Sequence, residues 1–311
     1  MTPFKLFYHS ACILWMVCIS SSCAARGDSP DLILVGSTPG DDLIKSLLAI
    51  PPETKIDFIK WNLALSPSNT GQETFVLGMV VGESQPNTLG FIGGGKPLTI
   101  KGTYRVSKEM GGHRGAETVR LTSESLPSGI SLAKLNDNLF HLLTPEGKLM
   151  IGNGGWSYSL NRKYPVPLTG PSAFSNPFKP AGEPSFEVVF DGRTPCREIA
   201  AEHPEMNASP SCFKLKWRLI LHRDSANHLP TTYTIRKVVD NEPRDVTGTW
   251  TILKGIPSNP DAVIYLLDPD KPAESISFLA GDENVLFFLN RNHEPYIGNE
   301  DFSFTMNRRI Q

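Results

Sequence analysis

The sequence predicts an all-β chain: two tandem antiparallel up-and-down β-barrels of about eight strands each, joined by a Pro-rich linker. Three observations carry this. First, the thirteen-residue stretch Ile297 to Arg309 has an earlier copy at Ile151 to Lys163, with six positions identical and five exchanged like for like. Second, the repeat runs back through the chain. At a spacing of 146 residues, Gly102-Thr103-Tyr104 falls on Gly248-Thr249-Trp250, Ile130-Ser131-Leu132 on Ile276-Ser277-Phe278, and Asn138 on Asn284. At a spacing of 156, Gly36-Ser37-Thr38-Pro39-Gly40 falls on Gly192-Arg193-Thr194-Pro195-Cys196, and Lys60-Trp61 on Lys216-Trp217. A repeat of domain length means two related units, residues 31–165 and 186–311, each large enough to bury its own core. Third, apolar and polar residues alternate at the strand period in short runs bounded by turn formers.

In chain order, the N-terminus comes first. Lys5 precedes an apolar run from Ala11 to Ile19, then Ser20-Ser21-Ser22-Cys23. A short cationic start, a run of this length and small residues before a cleavage point make a secretory signal over residues 1–22. The run is too short for a permanent membrane span. Cys directly after small residues resembles a bacterial lipidation site, with Cys23 as the lipidated first residue of the mature chain. Plain secretion and an uncleaved anchor are the alternatives. Residues 23–30 form a polar tether.

Unit one then shows extended runs near 31–35, 55–65, 73–81, 98–106, 117–122, 129–133, 138–143 and 155–163. A linker follows at 166–185, with Pro167, Pro171, Pro177, Pro180 and Pro184 too frequent for a sheet. Unit two repeats the runs near 186–190, 213–222, 231–239, 247–253, 261–267, 274–279, 284–290 and 301–309. Only 40–50 and 196–206 suit short helices. The clearest strand puts Phe213, Leu215, Trp217, Leu219 and Leu221 on one face and Lys214, Lys216, Arg218 and His222 on the other. That is the pattern of an antiparallel strand with one buried face. Eight such strands close into a barrel and lose their edges; two packed sheets are the alternative.

The composition is ordinary: 40% hydrophobic, 20% charged, formal net charge −2. No basic field invites nucleic acid. Once the signal leaves, and with Cys23 taken by lipid, Cys196 and Cys212 remain. An even count in an oxidising compartment favours a disulfide between them. The alternatives are a soft Cu(I) or redox site with His203, or two free thiols. His222 and His228 bracket a turn and are read as exposed turn residues, two ligands being too few for a closed metal site. Asp224-Ser225-Ala226 also resembles a bacterial O-glycosylation acceptor. Gly93-Gly94-Gly95-Lys96 lacks P-loop spacing and reads as a turn. No Ser–His–Asp set recurs in both units, and no paired carboxylates mark an active site. The chain is read as non-enzymatic and without a cofactor.

Unit two resembles the N-terminal domain of the copper-resistance lipoprotein NlpE family, a lipocalin-like barrel. The residues that carry the resemblance are Gly192-Arg193-Thr194-Pro195-Cys196, Gly248-Thr249-Trp250 and Val285-Leu286-Phe287-Phe288-Leu289-Asn290. The family's Cys-x-x-Cys is here Cys196-Arg197-Glu198-Ile199, and in unit one the Cys is Gly40. In lipocalin-like barrels an Arg late in the chain packs over a buried Trp. The resemblance gives that role to Arg308 with Trp217 or Trp250, and to Arg162 with Trp61; a solvated terminal cation is the alternative.

The resemblance implies a lipid-anchored protein of the bacterial cell envelope, in the outer membrane and facing the periplasm or the surface. It would be held to the membrane by its N-terminal lipid and act in stress sensing, copper resistance or protein interaction. A carrier of a small apolar ligand in a barrel lumen is the alternative reading.

Overall fold

The computed structural model describes residues 32–67, 72–110, 113–168, 185–256 and 259–310. The segment with Cys23 and most of the Pro-rich linker lie outside the described residues. Two closed antiparallel barrels stand in tandem. The first consists of β1 (Leu32–Pro39), β2 (Phe58–Ser66), β3 (Thr74–Gly82), β4 (Lys96–Met110), β5 (His113–Ser123), β6 (Leu126–Lys134), β7 (Leu139–Leu143) and β8 (Ser159–Arg162), with α1 (Asp42–Leu47) after β1. The second consists of β9 (Glu187–Thr194), β10 (Leu215–Arg223), β11 (Pro230–Val239), β12 (Glu242–Ile256), β13 (Asn259–Leu267), β14 (Ile276–Ala280), β15 (Val285–Leu289) and β16 (Thr305–Arg308), with α2 (Arg197–Glu202) after β9.

Consecutive strands pair, and the last closes on the first: Val35 opposite Asn161, Asp191 opposite Asn307. At this seam the repeated glycine has a reason. A Cβ at Gly36 would come to 2.7 Å from the Ser159 carbonyl, and one at Gly192 to 2.8 Å from that of Thr305. The repeated Thr and Trp are also linked. Trp61 Nε1 donates to Thr38 Oγ1 at 2.8 Å, and Trp217 Nε1 to Thr194 Oγ1 at 2.9 Å. Each indole N–H is thereby satisfied inside its barrel.

The spacing changes from 156 to 146 at one connection. Residues 83–95 join β3 to β4, whereas β11 turns into β12 through Asp240-Asn241 alone, both at positive φ. Gly93 to Gly95 belong to the longer connection, also at positive φ. The expected closing strands at 155–163 and 301–309 are half loop. Asn153 Oδ1 accepts from the amides of Gly155 and Trp156, and Asn299 Oδ1 from those of Asp301 and Phe302, which turns the chain before β8 and β16 begin. Leu215, Trp217, Leu219 and Leu221 face the core as expected, but Phe213 precedes the strand and is 49% exposed.

Each barrel has its own core. Trp61, Phe75, Phe140 and Tyr158 fill the first; Phe190, Trp217, Phe278, Phe288 and Phe304 fill the second. The two helices are pinned differently. Asp41 caps α1 through Ile44 N and accepts from Tyr158 Oη at 2.5 Å. α2 is tied by the Cys196–Cys212 disulfide.

Candidate functional site

The site with the most specific geometry is the junction of the two barrels. β7 and β15 are buried at every position, although a barrel wall has only one inner face. Phe140, Leu142, Leu286 and Phe288 point inward. Leu139, Leu143, Val285, Phe287 and Leu289 point outward and join Leu135, Leu149, Ile264 and Leu279 in a third apolar cluster shared by both barrels.

Around this cluster, residues meet their own repeats. Ser157 Oγ lies 2.5 Å from Ser303 Oγ, and Ser159 Oγ 2.7 Å from Thr305 Oγ1, each pair 146 residues apart. Gly152 N donates to Asn307 Oδ1 and Gly298 N to Asn161 Oδ1, both at 2.7 Å. A contact from i to j answered by one from j to i is the signature of a two-fold interface, here built within one chain. The small residues of the repeated stretch serve this approach. A Cβ on Gly152 would come to 2.2 Å from the Trp156 carbonyl of its own loop and 3.0 Å from Asn307 Cγ across the junction. One on Gly298 would come to 2.3 Å from the Phe302 carbonyl and 2.9 Å from Asn161 Nδ2, so the loop turn and the close approach both exclude a side chain.

One titratable group sits at the centre. His141 is fully buried, with Nε2 2.9 Å from the Met150 carbonyl and Nδ1 2.9 Å from Ser159 Oγ. A carbonyl only accepts, so Nε2 carries the proton and Nδ1 accepts from the Ser159 hydroxyl. Burial pushes the His141 pKa down to about 4 and keeps the ring neutral. Nearby Asp282 accepts from the amides of Asn284 and Val285, and burial pushes its carboxyl up to about 6.

The flanks of the junction differ in charge. On one side Lys60 Nζ lies 2.6 Å from Asp301 Oδ1. On the other, Arg193, Lys216, Gly154 and Gly155 line a hollow of about 370 Å³, and Lys214 and Lys216 line a neighbouring one of about 450 Å³.

The residues expected from sequence fall as follows. Cys196 and Cys212 form the disulfide and so present no thiolate to a metal. His203 is buried against Glu205, with burial lowering its pKa. Among the described residues no group of three or more His, Cys, Asp or Glu stands at metal-holding distance. His222 faces Glu187 at 3.6 Å, whereas the His228 ring stacks on Phe186.

The cation over Trp250 is Arg223, 4.8 Å from the ring, and not Arg308. Arg308 reaches Ser185 Oγ at 3.0 Å. Register explains this. Met306 and Trp217 both pair with Gly192, so Arg308, opposite Phe190, lies two residues, about 7 Å, further along the wall. Arg162 Nη1 donates to the Asp137 carbonyl at 3.5 Å.

Alternation alone does not single out Ser157, Ser159, Asn161 or His141. The available signal was the unbroken apolar run Val285–Leu289, too apolar for a strand with one wet face. No protein-family model, curated protein or solved structure matches the chain.

Proposed function

We propose that the chain is a non-catalytic, lipid-anchored protein of the bacterial cell envelope that binds a partner on its outer surface, as the NlpE-like lipoproteins resembled by its second barrel would. The observation that carries this reading is the filling of both lumens. Phe75, Phe140 and Tyr158 in one barrel and Phe190, Phe278, Phe288 and Phe304 in the other are almost fully buried. Barrels filled by their own side chains do not suit an apolar carrier, so a ligand is met outside. The disulfide suits an oxidising compartment and offers no thiolate to copper, which favours partner recognition over copper binding in this reading.

Two measurements test this. Cys23→Ala should move the protein from the membrane to the soluble fraction; unchanged membrane partition removes the anchor. Native mass spectrometry of the detergent-released protein should show the chain and its covalent lipid only. A stoichiometric apolar molecule held without a bond would favour the carrier reading.

A further inference from the structure

The two copies of the repeated stretch differ outright at two of their thirteen positions: Gly154-Gly155 stands where the second copy has Glu300-Asp301. These residues face the two flanks of the junction. On the first flank, Asp301 Oδ1 pairs with Lys60 Nζ at 2.6 Å, and Ser37 Oγ donates to the Glu300 carbonyl at 2.7 Å. On the second flank the equivalent strand positions, 156 residues on, are Lys216 for Lys60, Arg193 for Ser37 and Lys214 for Phe58.

The facing loops are built alike. Asn153 Oδ1 holds the Gly155 amide at 3.0 Å as Asn299 Oδ1 holds the Asp301 amide at 2.9 Å. Gly155 therefore occupies the place of Asp301, and the carboxylate that neutralises Lys60 has no counterpart opposite Lys216. A Cβ on Gly155 would come to 3.6 Å from Arg193 Nη1.

The second flank is left with surplus positive charge. Arg193 lies over Trp156, 5.6 Å from the ring. Among the described residues no ion pair reaches Arg193, Lys214 or Lys216. Neighbouring Arg218 and Arg236 are already matched by Asp191 and Asp245. Burial, then Arg193 and Lys216, hold the Lys214 ammonium below its usual pKa, and burial does the same to Arg193. Asp301 shares a hollow of about 40 Å³ with Arg193 and Lys214 while pairing with Lys60, and Asp191 lines the larger hollow while pairing with Arg218. Cations therefore outnumber carboxylates here, and an added anion is favoured.

We propose that this flank binds a carboxylate carried by an external ligand, seated between Arg193 and Lys216 where the first flank places the carboxylate of Asp301. The chain itself shows what fits, since its other half fills the equivalent position with a carboxylate. A small free acid and an acidic side chain of a partner offer the same group, and the two sources are separable.

The test is isothermal titration of the full chain with citrate and with a tri-glutamate peptide, each against sodium chloride of matched ionic strength. The wild type should bind at least one probe. Arg193→Gln, Lys216→Gln and Gly155→Asp should each weaken that binding tenfold or more, while Asp301→Ala, which removes a carboxylate near Arg193 and Lys214, should not weaken it. Gly155→Asp should also raise the melting midpoint, because it supplies the carboxylate from within; this separates a filled site from a misfolded variant. Tighter citrate assigns a free acid, and tighter peptide an acidic segment of a partner. No heat from either probe, or equal affinity in wild type, Lys216→Gln and Gly155→Asp, overturns the proposal.

Discussion

The imidazole of His141 meets the ring of Phe287 edge-on, with centroids 5.6 Å apart and planes at 85°, and the two residues hold the same place in the two copies of the repeat. The internal two-fold passes between them. On one side of it the chain has an aromatic hydrocarbon, on the other an aromatic that titrates.

That asymmetry gives a pH dependence. Above pH 6.5 His141 is neutral in both folded and unfolded chains, and its contribution is intact. Between 6.5 and about 4 the unfolded chain takes up a proton that the buried ring refuses, so stability falls with falling pH. The loss reaches roughly 3 kcal/mol. Asp282 acts oppositely: its folded pKa is raised from 3.8 to about 6, so its contribution is present at low pH and lost as pH rises through 6. The two offset each other in the wild type. His141→Phe, which copies Phe287, isolates the first. In chemical denaturation, wild-type stability minus that of His141→Phe should fall by roughly 3 kcal/mol from pH 7 to 4. A difference flat across that range would show that the ring is not buried neutral.

Much of this fold was legible in the sequence, for physical reasons. Leu215, Trp217, Leu219 and Leu221 alternate because a barrel wall has an inside, and the repeat fixes the number of barrels. What covers the outer wall was not legible. Ser157, Ser159 and Asn161 look like solvent-facing residues because an interface built on close backbone approach selects small polar side chains, as water does. Arg223 over Trp250 was also hidden. The contact joins the end of β10 to β12, and its partner choice depends on barrel register, which no local pattern encodes.

The barrel-end cations should therefore separate in stability. Arg223 lies over Trp250 and donates to the His228 carbonyl at 3.0 Å. Arg223→Ala should cost about 2 kcal/mol, the sum of a partly desolvated cation–π contact and a charged hydrogen bond. Arg308→Ala gives up the hydrogen bond to Ser185 and should cost less, about 1 kcal/mol. Equal losses in urea denaturation would mean that Arg308 has an aromatic partner after all.

The helix pins offer a matched pair. The disulfide closes a separation of sixteen residues around α2, whose Ile199 is buried in the core. Replacing both cysteines by Ser should cost roughly 3 kcal/mol. In unit one Gly40 stands in place of Cys196, and the Tyr158 hydroxyl on Asp41 holds α1. Tyr158→Phe, which copies Phe304, should cost about 1.5–3 kcal/mol relative to wild type, by the same amount with and without reductant. Thermal melts with and without dithiothreitol distinguish the two pins. A wild type insensitive to reductant would contradict the structural role given to the bridge.

The two barrels are joined by an apolar cluster and by hydrogen bonds between repeated residues, and should unfold as one body. Differential scanning calorimetry of the full chain tests it most directly. A single transition is predicted, with calorimetric and van't Hoff enthalpies equal, which a Phe287→Asp change at the junction divides into two. Two separate transitions already present in the wild type would contradict it, and would mean that the barrels unfold without reference to each other.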